Sequence, residues 1–492
     1  MKISYALRIR IMKKHHTHDS DYTLRFSPVL NSNGSVCFVD HFRNKESTIG
    51  LTVDDREFGC RVQRKFPSVV ADLIDLAVAI HASDRLAVQH LRREQSRIRI
   101  VLPVRHPELL NTSSFQVKLE TLLGWVTGSR WTFDFQKRTV PGRIVEQEEW
   151  IFPNEPEECE VALWSGGLDA LAGLYTRFQT SHTASFMMFG TGSNDNVYAR
   201  QELVFKALQP SFPNRLNLCR VPIRFSDSSL HQKNNILRAR GVVFTLLGAA
   251  YAYLMGQKVL CVYENGIGAI NLPYRASAVG LDHSRSVHPL TLLMVSDVVS
   301  ELLGEEFRVC NPFLFWTKAE MSKALAEDRR SDLPPLTMSC DSPHRKRPIQ
   351  CGYCSSCILR KQALAASKIK DRTRYVVPHG KRPAGDTSLY LHHMLTQVRT
   401  FRRLLSASDN PNFQWQALTR EFLQLDDIVD RSAAAESLLP AEMQSRLLKL
   451  YQTYVAEWDT VKSRIEEEFL DKDSNQQVSS KLSLHKVEGL LP

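Results

Sequence analysis

The run EVALWSGGLDA, residues 160–170, decides the fold. Five residues with the makeup of a buried strand lead straight into Ser165, Gly166, Gly167, Leu168 and Asp169, and a helical pattern starts at Ala170. Two adjacent glycines let the backbone turn sharply at the strand end. Successive N–H groups then converge, the partial positive charge of the helix start adds to them, and an anion such as a phosphate is held. A tight strand-to-helix turn without any ligand uses the same glycines, so the bend alone leaves both readings open. Neither a GxxxxGK[ST] loop nor a GxGxxG turn stands here, which argues against ordinary P-loop and dinucleotide sites.

Downstream of this bend, short apolar runs alternate with helical ones as far as about Lys370. ASFMMFG (184–190), RLNLCRVPI (215–223), KVLCVYE (258–264) and FRVCNPF (307–313) read as strands. ALAGLYTRF (170–178), ARQELVFKAL (199–208), RARGVVFTLLGAAYAYLM (238–255), PLTLLMVSDVVSELLG (289–304) and TKAEMSKALA (317–326) read as helices. The alternation predicts an α/β fold with a parallel sheet covered on both faces. Ligands of such sheets bind beyond the carboxyl ends of the strands, which directs attention to the loops after EVALW, ASFMMFG (hence Gly190) and KVLCVYE.

Upstream, residues 1–155 read as an α+β domain. MKISYALRIRI (1–11), YTLRF (22–26), SVCFVD (35–40) and STIGLTV (47–53) alternate at period two, and a helix, VVADLIDLAVAIHASDRLAV (69–88), precedes the strand RIRIVLPV (97–104). Residues 156–385 form the α/β domain. Residues 386–492 read as helical, with LYLHHMLTQVRTFRRLL (389–405), FQWQALTREFLQLDDIV (413–429) as one helix, and a last helix opened by Pro440. The polar stretch DKDSNQQVSSK (471–481) is expected to fray.

With 492 residues, 43% hydrophobic and 24% charged, the chain has the composition of an ordinary globular protein, which excludes disordered, fibrous and collagen-like classes. The first ten residues have no apolar core of a secretory signal. The longest uncharged run, between Arg240 and Lys258, contains Thr245, Gly248 and Gly256 and reads as a buried helix rather than a bilayer span. Ten cysteines in so long a chain are not a disulfide framework, and a reducing, cytoplasmic setting is expected. The formal net charge of +10 is concentrated: Lys and Arg crowd between Cys340 and Arg382 against only Asp341 and Asp371. That segment is either a solvated face, a balance for metal-bound thiolates, or a grip for nucleic-acid phosphates.

Cys351-Gly-Tyr-Cys354-Ser-Ser-Cys357 follows Cys340 at a short distance. Thiolates at two-residue intervals wrap one cation, and a fourth from outside the turn completes a tetrahedron. Four sulfurs with no spare histidine favour structural zinc over an iron–sulfur cluster. His182, His231, His283, His288 and His344 are scattered and receive no catalytic role.

SGGLDA after an apolar strand resembles the SGGxDS signature of the PP-loop ATP pyrophosphatases, whose fold is adenine nucleotide α-hydrolase-like. By that resemblance Ser165, Gly166, Gly167, Leu168 and Asp169 bind the ATP phosphates, with Asp169 in a catalytic position. Ala170 departs from the family's Ser or Thr and removes one hydroxyl partner, worth ~1 kcal/mol. The bend and the cysteines together resemble QueC, the 7-cyano-7-deazaguanine synthase family, whose C…CGxCxxCxxR cluster is matched by MSCDSPHRKRPIQCGYCSSCILRK (338–361). NPFLFWTKAEM resembles the family segment with a lysine after an aromatic strand end, here Lys318, and LRARGVVF its arginine at the start of a buried helix, here Arg240. ENGIGAINLP (264–273) stands where the family has an acidic-glycine loop.

The resemblance covers residues 158–370 and implies ATP, Mg²⁺ and Zn²⁺ as cofactors. It implies adenylation of a 7-deazaguanine carboxylate followed by transfer to an amine, with Lys318 on phosphate or carboxylate, Arg240 and Gly190 on the nucleotide, and Glu264, Asn265 and Gly266 on the base. As a bare pattern, Lys318 also suits a surface helix-capping lysine, and ENG a turn between strands. The added flanking domains resemble the long QueC-like proteins of bacterial antiviral operons, in which the acceptor is a partner protein's N-terminal amine. Two alternatives use the same bend: a PP-loop enzyme that modifies RNA, and a non-catalytic nucleotide-sensing adaptor.

Overall fold

The computed structural model describes residues 20–30, 33–61, 66–87, 96–147, 159–181, 185–192, 195–225, 237–274, 284–341, 349–379 and 387–485. The expected first strand (1–11), His182, His231, His283 and His344, and residues 342–348 and 380–382 of the basic segment, lie outside the described residues.

Among the described residues, ten strands form one sheet. They are β1 (Tyr22–Leu30), β2 (Asn33–Asp40), β3 (Lys45–Val53), β4 (Arg97–Val104), β5 (Arg130–Lys137), β6 (Cys159–Leu163), β7 (Ser185–Gly192), β8 (Leu216–Phe225), β9 (Val259–Cys261) and β10 (Arg308–Cys310). The order across the sheet is β10-β9-β6-β7-β8-β3-β2-β1-β4-β5. From β10 to β8 every pairing is parallel, as the strand–helix alternation predicts. β3 then pairs antiparallel with β8, Val53 opposite Ile223, and carries the hairpin strands β2 and β1 and the parallel pair β4 and β5. The N-terminal strands thus extend the α/β sheet instead of forming one of their own. The boundary expected near residue 155 falls in the segment 148–158, outside the described residues.

The helices are α1 (Ser68–Leu86), α2 (Ser113–Thr127), α3 (Leu168–Thr180), α4 (Asp195–Leu208), α5 (Arg240–Leu254), α6 (Gly266–Ile270), α7 (Pro289–Leu303), α8 (Lys318–Glu327), α9 (Ser355–Ala366), α10 (Leu389–Leu405), α11 (Pro411–Glu421), α12 (Gln424–Ser432) and α13 (Pro440–His485), besides several single turns. Period-two alternation splits the central strands between two cores. Val161 and Leu163 face one core with α1, α5 and α7, whereas Ala162 and Trp164 face the other with α3 and α8. In β7, Phe189 goes to the first and Phe186 and Met188 to the second. Both faces of the parallel sheet are therefore covered.

α5 is the buried helix expected from the uncharged run, and it packs against α1. No helix among the described residues is long and apolar enough to cross a membrane. Two C-terminal expectations are corrected. The stretch 413–429 is two helices, because Phe422 leaves helical geometry (φ −128°, ψ 75°) to turn its ring into the core against Phe401. The polar stretch 471–481 does not fray but continues α13 to His485; it has no proline or glycine to end a helix.

Candidate active site at the glycine bend

Gly166 sits at the carboxyl end of β6 with φ +73°, in the left-handed region, and a Cβ there would lie 3.0 Å from the Gln201 amide nitrogen. Only glycine fits both the torsion and the space. Gly167 is the N-cap of α3, so the helix opens on the bend. The exposed Ser165 hydroxyl accepts from the Gly167 N–H at 3.2 Å, and Ser339 Oγ accepts from the Leu168 N–H at 3.2 Å. Hydroxyls thus occupy two donors of the cradle. Gln201 backs the bend from α4: its backbone carbonyl accepts from Trp164 Nε1 at 2.8 Å, and its buried Oε1 has no hydrogen-bond partner among the described residues. A Cβ on Gly190 would come within 2.5 Å of that oxygen, so Gly190 borders the side chain of Gln201 and Gly166 its backbone.

Asp169, in the first turn of α3, joins the bend to two other loops. Its Oδ2 accepts from Lys318 Nζ at 2.6 Å and its Oδ1 from Asn265 Nδ2 at 2.9 Å. Asp169, Asn265 and Lys318 are only 8%, 0% and 5% exposed, so Lys318 is a buried cation and not a surface cap. Thr317 caps α8 instead, in a reciprocal capping box with Glu320. Burial would lower the Lys318 pKa, but the carboxylates of Asp169 and Glu264 outweigh it and the pKa is raised. For Glu264, burial and the Asp169 charge prevail over Lys318, and its pKa is pushed up to about 8.

The ENG segment is not a turn between strands. Asn265 is the N-cap of α6, its Oδ1 accepting from the Gly268 N–H at 2.9 Å while its Nδ2 donates to Glu264 Oε1 at 2.7 Å. Gly266 packs against the Leu314 carbonyl, where a Cβ would lie 2.0 Å away. Glu264, Asn265, Lys318 and Asp169 therefore meet in one place. Arg240 does not join them among the described residues: it opens α5, and its charge acts on His81 of α1. His288, likewise without a catalytic place, caps α7 by accepting from the Leu290 N–H.

The Sγ atoms of Cys340, Cys351, Cys354 and Cys357 lie within 4.8 Å of one another, and all four residues are buried. Cys351 and Cys357 Sγ are 3.8 Å apart, matching the ~3.8 Å edge of a tetrahedron with ~2.3 Å zinc–sulfur bonds. An iron–sulfur cluster spreads its thiolates farther apart than a single ion does, so zinc fits better. Gly352 (φ +86°) makes the turn between the first two ligands of the knuckle, where a Cβ would lie 2.1 Å from the Val377 carbonyl. Backbone N–H groups of Cys351 and Cys354 donate to Cys340 and Cys351 sulfurs, and Cys354 caps α9.

Arg360, the arginine of the CxxCxxR pattern, received no role from the sequence. It is fully buried and donates to Thr337 Oγ1, the Pro334 carbonyl, Thr373 Oγ1 and the Tyr375 hydroxyl, and at 3.4 Å to Ser339 Oγ. The strap it holds lies on the glycine bend: the Met338 N–H donates to the Gly166 carbonyl at 3.0 Å. One side chain links the cysteine knuckle to the glycine bend.

Residues 220–368 match the family model described as queuosine biosynthesis protein QueC. The chain carries a QueC-like domain. The match takes in Glu264, Asn265, Gly266, Lys318 and the four cysteines, and begins beyond the Ser165–Asp169 bend, which the fold brings against the QueC-like residues. No curated protein matches the chain. Membership of the QueC-like domain suggests an ATP pyrophosphatase-type activity and an ATP-using synthase or ligase.

Proposed function

We propose that the chain is an AMP-forming enzyme that adenylates the carboxylate of a 7-deazaguanine and passes it to an amine. The observation that carries this reading is the junction of Asp169 with Lys318 and Asn265, which sets an anion cradle beside a base-sized polar loop. The Gly167 and Leu168 amides receive the ATP phosphates, displacing the Ser165 and Ser339 hydroxyls. What supports a nucleotide here is that Gly166 admits no Cβ, and that the Gln201 Oε1 beside Gly190, without a partner among the described residues, offers an acceptor next to the bend. Mg²⁺ would be held by an oxygen of Asp169, and it would supply charge neutralisation of the departing pyrophosphate.

Lys318 orients Asp169 through the 2.6 Å ion pair and holds a buried positive charge that neutralises the substrate carboxylate. Glu264 holds its proton in the free protein at neutral pH. Once ionised, it accepts from the N–H edge of a deazaguanine, and Asn265 fixes its orientation through the 2.7 Å hydrogen bond. The acceptor amine is proposed to be a partner protein's N-terminus, as in QatC-type antiviral proteins, with the flanking layers serving recognition of that partner in the cytoplasm.

The test incubates the full chain with ATP, Mg²⁺ and 7-carboxy-7-deazaguanine, with and without co-encoded proteins, and follows AMP, pyrophosphate and intact mass. AMP that appears only with the deazaguanine, and drops at least about a hundredfold in Lys318→Met, is the expected result. AMP released with tRNA as the only acceptor would favour RNA modification. ATP binding without turnover under every condition would make the chain an adaptor.

A further inference from the structure

A cavity of about 180 Å³ lies at the sheet edge between α7, β10 and α12, apart from the glycine bend. It exceeds the roughly 150 Å³ void that accepts a benzene-sized guest, so an organic molecule of about six heavy atoms fits. Leu292, Leu293, Val309 and Leu314 give it an apolar wall. Its rim is acidic: Asp297, Glu306 and Glu436 stand against a single cation, Arg308, whose contact with Glu436 is a loose 3.4 Å. Asp297 and Glu306 make no ion pair with another described residue. Ser432 also lines the cavity; it is 3% exposed, and its hydroxyl has no hydrogen-bond partner among the described residues.

An unpaired buried hydroxyl costs free energy unless something occupies the space beside it. Water or a polar ligand atom meets that need, and the excess of carboxylates selects a positive one. Two lining residues also build the back of the Glu264 loop. Asn311 Nδ2 donates to the Glu264 carbonyl at 2.8 Å and its Oδ1 accepts from the Glu264 N–H at 3.4 Å, while the Leu314 carbonyl is the atom against which Gly266 packs.

We propose that this cavity binds a small aliphatic amine, its ammonium among Asp297, Glu306 and Glu436 and its chain on Leu292 and Leu314, and that Asn311 transmits occupancy to Glu264. The ligand is held by the charge of the rim, the apolar wall orients it, and Ser432 pairs with its polar end or with a water beside it. This site stands independently of the adenylation reading.

Calorimetric titration of the full chain with n-butylamine, 1,4-diaminobutane and n-butyrate tests it. The amines are expected to bind and butyrate not to. Asp297→Asn, an exposed change that leaves the fold intact, and Ser432→Val, checked by circular dichroism, should each weaken binding about tenfold. Asp169→Asn should bind the amines as the wild type does, which separates this site from the ATP site. Hydrogen exchange at residues 264–268 should slow when butylamine is bound. Equal binding of butyrate, unchanged affinity in both rim and floor variants, or no saturable binding of either amine would overturn the site; unchanged exchange at 264–268 would overturn the transmission.

Discussion

Two carboxylates and one ammonium, Asp169 and Lys318 buried and Glu264 partly so, share the space below the glycine bend, and their protonation sets a measurable pH dependence. Glu264 is pushed up from an ordinary 4.5 to about 8 by burial and by Asp169. Folded protein therefore keeps a proton that the unfolded chain releases above about pH 4.5, and stability contributed by this group falls as pH rises through that window toward 8. Urea midpoints of the chain without added Mg²⁺ or ATP at several pH values should show this slope, and Glu264→Gln should flatten it while leaving the contributions of Glu457 and Asp84, also raised to about 7, in place. An identical slope in the variant would mean that Glu264 is ionised throughout. The sequence made Asp169, Lys318, Glu264 and the cysteines legible because each stands in a short motif at a strand or helix end. It could not show that Lys318 is already paired, nor that Ser339 and Gln201 belong to the cradle, since these partners are far apart in the chain. Arg360 was visible as a letter of the pattern, but its five contacts exist only after the strap has folded.

Among the elements, the knuckle, its strap and α9 act as one unit. Arg360 projects from α9 one turn beyond Cys357 and ends on the strap that overlies Gly166. Zinc removal should therefore do more than loosen residues 337–379. Metal analysis is expected to give about one zinc per chain, and chelation should expose the 337–379 segment to protease and lower ATP affinity together. Retained affinity after complete zinc loss would disprove the link through Arg360. α13 reaches the same region from the other side: Glu457 accepts from Thr317 Oγ1 at 2.5 Å and from Gln362 at 3.0 Å, and Glu468 pairs with Lys361 at 3.0 Å. Strands and helices of the α/β region were legible from periodicity alone. The break at Phe422 was not, because the polar residues around it continue a helical pattern and only the pull of a distant aromatic cluster ends it.

At the scale of the whole molecule the decisive pairing is β3 with β8, which makes one sheet from segments far apart in the chain. No local pattern announces a long-range antiparallel register, so the sequence reads as two neighbouring domains where the strands run on without a gap. A fragment of residues 156–385 should leave the Ile223–Phe225 edge unpaired and the α5 surface stripped of α1. It is expected to aggregate when expressed alone and to become soluble when residues 1–155 are supplied in trans, as judged by size-exclusion chromatography; a monodisperse, cooperatively melting fragment would refute this. The same pairing has a consequence during synthesis. β3 leaves the ribosome early, but its partner emerges only after the intervening chain has been made, a wait of roughly ten to thirty seconds at ordinary translation speeds. Throughout that interval the nascent hairpin carries an open flank, and it is then that the newborn polypeptide most needs a chaperone.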